Sequence, residues 1–272
     1  MLNDLKQLLA NLSRRCPLAL CLVLGATWTA PAASSDSPKA AAPDAVRVAL
    51  YHGPGTGGKG PVNLKRKLNE GKASSLVEVS PEDIRAGVLT NYDVVIFAGG
   101  SGSKEAEAIG EAGRAAVRQF VANGGGYIGI CAGAYLATSG FPWSLHLIAA
   151  KTISPKWKRG LGEVKVELTD AGRKVIGERA GPFGVLYANG PVVEPAPAAS
   201  LAPYETFALF RTEMASNNVP VGIMIGAPAI FAGQYQKGRV VCVSPHPEQT
   251  PGLEEFIPRA VTWAAQRSST IQ

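Results

Sequence analysis

Cys131 stands in a Gly-x-Cys-x-Gly motif, Gly129 to Gly133, where the apolar run YIGIC gives way to AGAYLATSG. A thiol works as a nucleophile when a tight turn presents it and a helix N-terminus favours its thiolate. The next amide, that of Ala132, can then donate to the oxyanion formed by attack on a carbonyl. A buried cysteine in a glycine-packed turn fits the same five residues, so this motif alone leaves both readings open. The second group is SPHPEQ, Ser244 to Gln249, in which His246 follows the apolar run RVVCVS one proline on and Pro247 separates it from Glu248. An imidazole can take the proton of a thiol, and a carboxylate can orient that imidazole. Each motif falls at the C-terminal end of an expected strand, where open α/β sheets place their sites. Together they favour a catalytic group of Cys131, His246 and Glu248.

Two glycine loops belong to the same edge. FAGGSGS, Phe97 to Ser103, offers Gly100 as a second oxyanion amide beside Ala132, and YHGPGT carries His52. His52, Gly99 and Tyr135 are the candidate substrate contacts. Cys242 and His146 read as packing residues. His52, His146 and His246 lie far apart with no CxxC or HExxH spacing, so no metal and no cofactor are expected.

The positioning elements follow from the apolar periods. VRVALY, SSLVEVS, YDVVIFAGG and YIGIC are short apolar runs of buried strands, separated by the helical stretches NLKRKLNEG, IRAGVL and EAEAIGEAGRAAVRQFVANGG. Ile109, Ala116, Val117, Phe120 and Val121 share one face of the last of these. Ser80 followed by Pro-Glu-Asp is a helix N-cap signal. This alternation predicts a mostly parallel central sheet between helix layers. In the C-terminal half EVKVEL, GVLYANG, ETFALF, VGIMIG, AIFAGQY and RVVCVS read as added antiparallel strands, with a hairpin turn at Gln236-Lys237-Gly238. GLEEFIPRAVTWAAQ closes the chain as a helix. The expected fold is α/β, a three-layer sandwich, spanning residues 46–268.

Lys6, Arg14 and Arg15 precede the apolar run CPLALCLVLGA, and Ala30-Pro31-Ala32 has the form of a signal-peptidase site. Residues 1–33 therefore read as a signal peptide and 34–45 as a flexible Ala/Pro/Ser linker. Arg14-Arg15 leaves a twin-arginine route open beside the general one, and Leu20 argues against lipidation at Cys21. The expected location is periplasmic or extracellular, with membrane contact only through the signal segment if it stays uncleaved. Loss of residues 1–33 lowers the net charge from +6 to +4. The remaining basic residues are scattered, with no basic strip interleaved with aromatics, which argues against nucleic-acid binding. Cys131 and Cys242 remain, enough for one disulfide but not for a disulfide framework.

GxCxG with HPE resembles the class I glutamine amidotransferase-like superfamily, whose triad is Cys-His-Glu. YHGPGT, FAGGSGS, GGGYIGICAGAYLA, LIAAKT, VLYANGP and SPHPE together are similar to the N-terminal domain of eukaryotic biotin–protein ligases, which exported bacterial proteins contain by itself. The resemblance implies a flavodoxin-like sandwich, Cys131 as nucleophile, His246 as base and Glu248 as its orienter. It also implies Gly100 and Ala132 as oxyanion amides. No ligase or synthetase domain is expected with it, so biotin transfer is not implied. The expected activity is that of an amide or acyl hydrolase, or an amidotransferase-like enzyme, working through a cysteine thioester on a small-molecule or peptide-like amide. Two other readings are a binding module that keeps the triad geometry without turnover, for a small ligand or a cell-envelope partner, and a thiol-reactive stress protein.

Overall fold

The structure, a computed structural model, describes residues 45–70, 74–197 and 200–265. The chain divides into two units, residues 1–39 and 40–272, and the described residues all belong to the second. The expected signal peptide and nearly all of the expected linker lie outside the described residues.

The first half builds strands β1 (Val46–Tyr51), β2 (Ser74–Val79), β3 (Val94–Phe97) and β4 (Gly126–Ile130), with helices α1 (Gly60–Glu70), α2 (Pro81–Arg85), α3 (Gly102–Ala122) and α4 (Ala132–Ala137). The second half adds β5 (Ala150–Thr152), β6 (Leu161–Leu168), β7 (Phe183–Ala188), β8 (Val193–Pro195), β9 (Glu205–Phe210), β10 (Pro228–Tyr235) and β11 (Gly238–Val243). It also adds α5 (Asp170–Ile176) and α6 (Phe256–Ala265). One nine-stranded sheet runs β2-β1-β3-β4-β11-β10-β9-β6-β7, while β5 and β8 pair separately. From β2 to β11 the pairings are parallel, and from β11 outward to β7 they are antiparallel.

Period-two alternation explains the layers. Val48, Leu50, Val94, Ile96, Ile128, Ile130, Val241 and Val243 face one core with α1, α5 and α6. Their neighbours Ala49, Tyr51, Val95, Phe97, Tyr127, Val240 and Cys242 face the other, with α2, α3 and α4. Continuous apolar strands are thus buried on both faces, as a parallel sheet requires. The Ser80 cap forms a full capping box, its hydroxyl accepting from the Asp83 amide while the Asp83 carboxylate accepts from the Ser80 amide.

Several expectations are corrected. VGIMIG is not a strand: Pro220 precedes it, and Gly222 and Gly226 take φ of 84° and 80°. The Glu213 carboxylate accepts from the Gly222 and Met224 amides, folding the segment into turns. The helix expected over IRAGVL is split, because Gly87 takes φ of 86° between α2 and a short 3-10 turn. The closing helix expected over GLEEFIPRAVTWAAQ begins only at Phe256, with Pro258 in its first turn. His146 is exposed, at φ 53°, instead of packed.

Candidate active site

The parallel order puts the C-terminal ends of β3, β4 and β11 side by side. Cys131 is the single residue between β4 and α4, with φ 52° and ψ −97°, a conformation that costs a non-glycine residue about 1–3 kcal/mol. The flanking glycines make this turn possible. A Cβ on Gly129 would sit 2.3 Å from Gly133 O, and one on Gly133 would sit 2.1 Å from Phe97 O. Alanine at position 133 is expected to destabilise the protein by about 1–3 kcal/mol or more, read as a lower urea midpoint. A Gly181→Ala control, which carries only the backbone strain of φ 59° and meets nothing within 4 Å, should lose less.

Cys131 is 7% exposed and opens on a cavity of about 340 Å³ whose walls include Gly100, Tyr135, Phe141, Trp143, Trp157 and Asn189. As a thiol, Cys131 Sγ donates to Ala188 O at 3.3 Å. Behind it His246 Nδ1 meets Glu248 Oε1 at 2.7 Å. Gln249 Nε2 donates to the same carboxylate oxygen at 3.0 Å. With the Nδ1 proton directed at Glu248, Nε2 is the nitrogen left for other chemistry. Gly99 leaves room for the ring, since a Cβ there would lie 2.9 Å from His246 Cε1. Burial presses the imidazole downward, but hydrogen bonds to Cys131 and Glu248, and charge from both, outweigh it and push His246 up to about 10. The imidazolium is thereby favoured beside the sulfur.

The amides of Gly100 and Ala132 both border the cavity, and neither donates to an acceptor among the described residues. The Gly100 turn is held open at φ 148° by a bridge to Thr56, where Gly57 N donates to Gly99 O and Ser101 N to Gly55 O.

Of the residues expected from sequence, Cys131, His246, Glu248, Gly100, Ala132, Gly99 and Tyr135 are gathered here. His52 is not: its side chain is 63% exposed, and its nearest charged partner is Glu78 at 3.8 Å. Phe141, Trp143, Trp157, Asn189 and Gln249 escaped the sequence reading. Gln249 and Asn189 carried local signals, as neighbours of HPE and within VLYANGP. Phe141 and Trp143 come from the loop that directly follows α4, and Trp157 from the loop between β5 and β6. Cys131 and Cys242 are free thiols, and burial pushes the Cys242 thiol up. Among the described residues no group of three or more His, Cys, Asp or Glu could hold a metal, and no helix is long and apolar enough to cross a membrane.

A family model described as biotin-protein ligase, N terminal, matches residues 46–151. That span holds β1 to β4 and the Cys131 turn, and stops before His246 and Glu248. No curated protein matches the chain. Among solved structures, a cytoplasmic protein of Salmonella typhimurium is 13% identical at TM-score 0.53, covering 82% of this chain and 100% of its own. A ThuA-like protein from Parabacteroides merdae is 14% identical at TM-score 0.53, over 84% of this chain and 93% of that one. Another ThuA-like protein, from Bacteroides uniformis, is 20% identical at TM-score 0.50, over 85% and 93%. At such identities the likeness is one of fold: an α/β sandwich whose large sheet continues into antiparallel strands.

Proposed function

We propose that this chain is an exported cysteine-dependent amide or acyl hydrolase of the class I glutamine amidotransferase-like type. The observation that carries the reading is Cys131, held at positive φ on a strand-to-helix turn with a buried imidazole–carboxylate pair behind it. The Cys131 thiolate adds to the carbonyl carbon, and the oxyanion takes hydrogen bonds from the Gly100 and Ala132 amides. The C–N bond then breaks, the leaving nitrogen takes the proton from His246, and an acyl thioester remains on the sulfur. Water attacks the thioester and gives its proton to His246. The C–S bond breaks, releasing a carboxylic acid and regenerating the thiolate–imidazolium pair. Glu248 keeps the ring oriented throughout, as a positioning residue.

The test is covalent. Incubating the full chain with a panel of p-nitroanilides and p-nitrophenyl esters should add one acyl mass to Cys131, seen in the intact protein and mapped by peptide mass spectrometry. The adduct should be absent in Cys131→Ala. Donors that bind saturably yet never acylate the parent would instead favour a binding module.

A further inference from the structure

Three of the residues that wall the Cys131 cavity, Tyr135, Phe141 and Trp143, form a chain of adjoining rings, each partly exposed. The Tyr135 and Phe141 centroids are 6.3 Å apart with the rings tilted by 53°. Phe141 stacks on Trp143 at 4.7 Å and 11°. Both ends of this ladder are tied to the reacting residues. A Cβ on Gly102 would lie 3.3 Å from Trp143 Cζ3 and 2.7 Å from Ala132 O, so the Trp143 ring rests against the backbone just after Gly100. At the other end Tyr135 Oη donates to Asn189 O at 3.1 Å. Asn189 follows Ala188, whose carbonyl accepts from the Cys131 thiol. The ladder thus runs between two segments that both touch the Cys131–Ala132 turn.

The lining also lacks charge. Among the described residues no Asp, Glu, Lys, Arg or His lines the cavity. The nearby cations are engaged elsewhere. Arg159, in the loop between β5 and β6, is 2% exposed and held by Glu213 at 3.0 Å, and Lys158 Nζ lies over the Trp157 ring at 5.4 Å. A free amino-acid amide carries an ammonium and a carboxylate, and drawing either out of water without a charged partner is costly. An uncharged ring leaves water favourably and gains further by packing on other rings. At about 340 Å³ the cavity is at the small end for ligand sites, with room for a ring and its scissile group.

We infer that the Tyr135–Phe141–Trp143 ladder is a specificity-determining surface that binds an uncharged aromatic ring of the substrate. The substrate class is then an aryl-bearing amide or ester with no charge near the scissile carbonyl, not a free amino-acid amide. This deepens the hydrolase reading and rests on it for the attack by Cys131, while the ring site itself is read by binding alone.

3-Phenylpropionamide is the probe, titrated calorimetrically into the full chain carrying Cys131→Ala, which cannot form a thioester. 3-Cyclohexylpropionamide has the same length and no π face, and L-glutamine joins its amide to an ammonium and a carboxylate. The aryl amide should bind saturably and L-glutamine should not. The cyclohexyl amide should bind about two- to tenfold more weakly, the worth of an aromatic pair. In the parent chain the aryl amide should slow iodoacetamide alkylation of Cys131, which places the ring beside the sulfur. Trp143→Leu should weaken the aryl amide by a similar factor and leave the cyclohexyl amide nearly unchanged. Phe141→Leu repeats that measurement in case the loss of Trp143 from Gly102 unfolds the chain. Failure of the aryl amide to bind, equal affinity for the two amides, glutamine binding as tightly, or no protection of Cys131 would overturn the assignment. An aryl amide that binds and protects, in a chain that no donor acylates, would support the ring site and refute the hydrolase.

Discussion

Alanine at position 246 is expected to slow acylation of Cys131 by about 10²- to 10⁴-fold, the range for removing a positioned proton-transfer group. The acyl donor that labels the parent most strongly, followed in a single turnover, measures it. Iodoacetamide alkylation of Cys131 gives an independent reading that needs no leaving-group proton. The pH dependence separates a catalytic imidazole from a packing one. His246 is held up to about 10, so it keeps its proton throughout the neutral range and loses it only as pH rises through about 10. Amide cleavage needs that proton for the leaving nitrogen, so the alkaline limb of kcat should fall near pH 10 and not near the ordinary imidazole value of 6.5. Glu248→Gln removes a charge and a hydrogen bond that raise His246, so the limb should move to lower pH. The same shift acts on folding. The stability contributed by the protonated ring is fully present below 6.5 and is lost as pH climbs from there to about 10. An alkaline limb that stays put in Glu248→Gln would mean that the carboxylate does not act through the ring.

How much of this site was legible in the chain depended on whether its signals were local. The Cys131 turn was legible because Gly129 and Gly133 are demanded by backbone contacts at 2.3 and 2.1 Å, and a turn that tight leaves a short motif. His246 and Glu248 were legible for a similar reason: proline fixes a two-residue separation directly after a strand. The strands of the parallel half declared themselves through unbroken apolar runs, which only a sheet covered on both faces tolerates. VGIMIG misled because its apolar residues have no period that separates a strand from a set of turns. What decides it is Glu213, from outside the segment, capturing two of its amides. His52 misled in the opposite way, since a histidine in a glycine loop says nothing about which side of the loop it faces. Arg159 was not legible at all. SPKWKRG reads as a solvated basic loop, and only the return of Asn189 and Glu213 over it turns one of its cations inward.

Glutamine at position 105 is expected to stabilise the protein, and to do so more strongly as pH rises from 5 to 8. Glu105 lies in the first turn of α3, 0% exposed, on the core face that contains Tyr51 and Tyr127. The Gly55 loop closes over it so tightly that a Cβ there would meet Glu105 Cγ at 2.7 Å. Neither carboxyl oxygen has a hydrogen-bond partner among the described residues. Burial alone pushes this carboxyl well above its ordinary 4.5, so the folded chain keeps it neutral. Below pH 4.5 both states hold the proton and the group is silent. Above that value the unfolded chain releases a proton that the native state retains. Stability then declines by about 1.4 kcal/mol per pH unit until the native carboxyl itself ionises. Glutamine has nearly the same shape and no such proton, so the gap between variant and parent should open with pH and exceed 1 kcal/mol, on the order of one pH unit of linkage, at neutrality. Urea unfolding of both chains at pH 5, 6, 7 and 8 measures that gap directly. A gap that stays level would mean that Glu105 is ionised in the fold and partnered there. The Glu105 backbone is part of the same contact, since its amide lies 2.5 Å from where that Gly55 Cβ would stand. Gly55 O in turn accepts from Ser101 N, beside the Gly100 amide that the proposed mechanism uses. A neutral side chain at 105 therefore supports the loop that carries Gly100, and glutamine should leave the proposed acylation of Cys131 intact while the fold grows more stable.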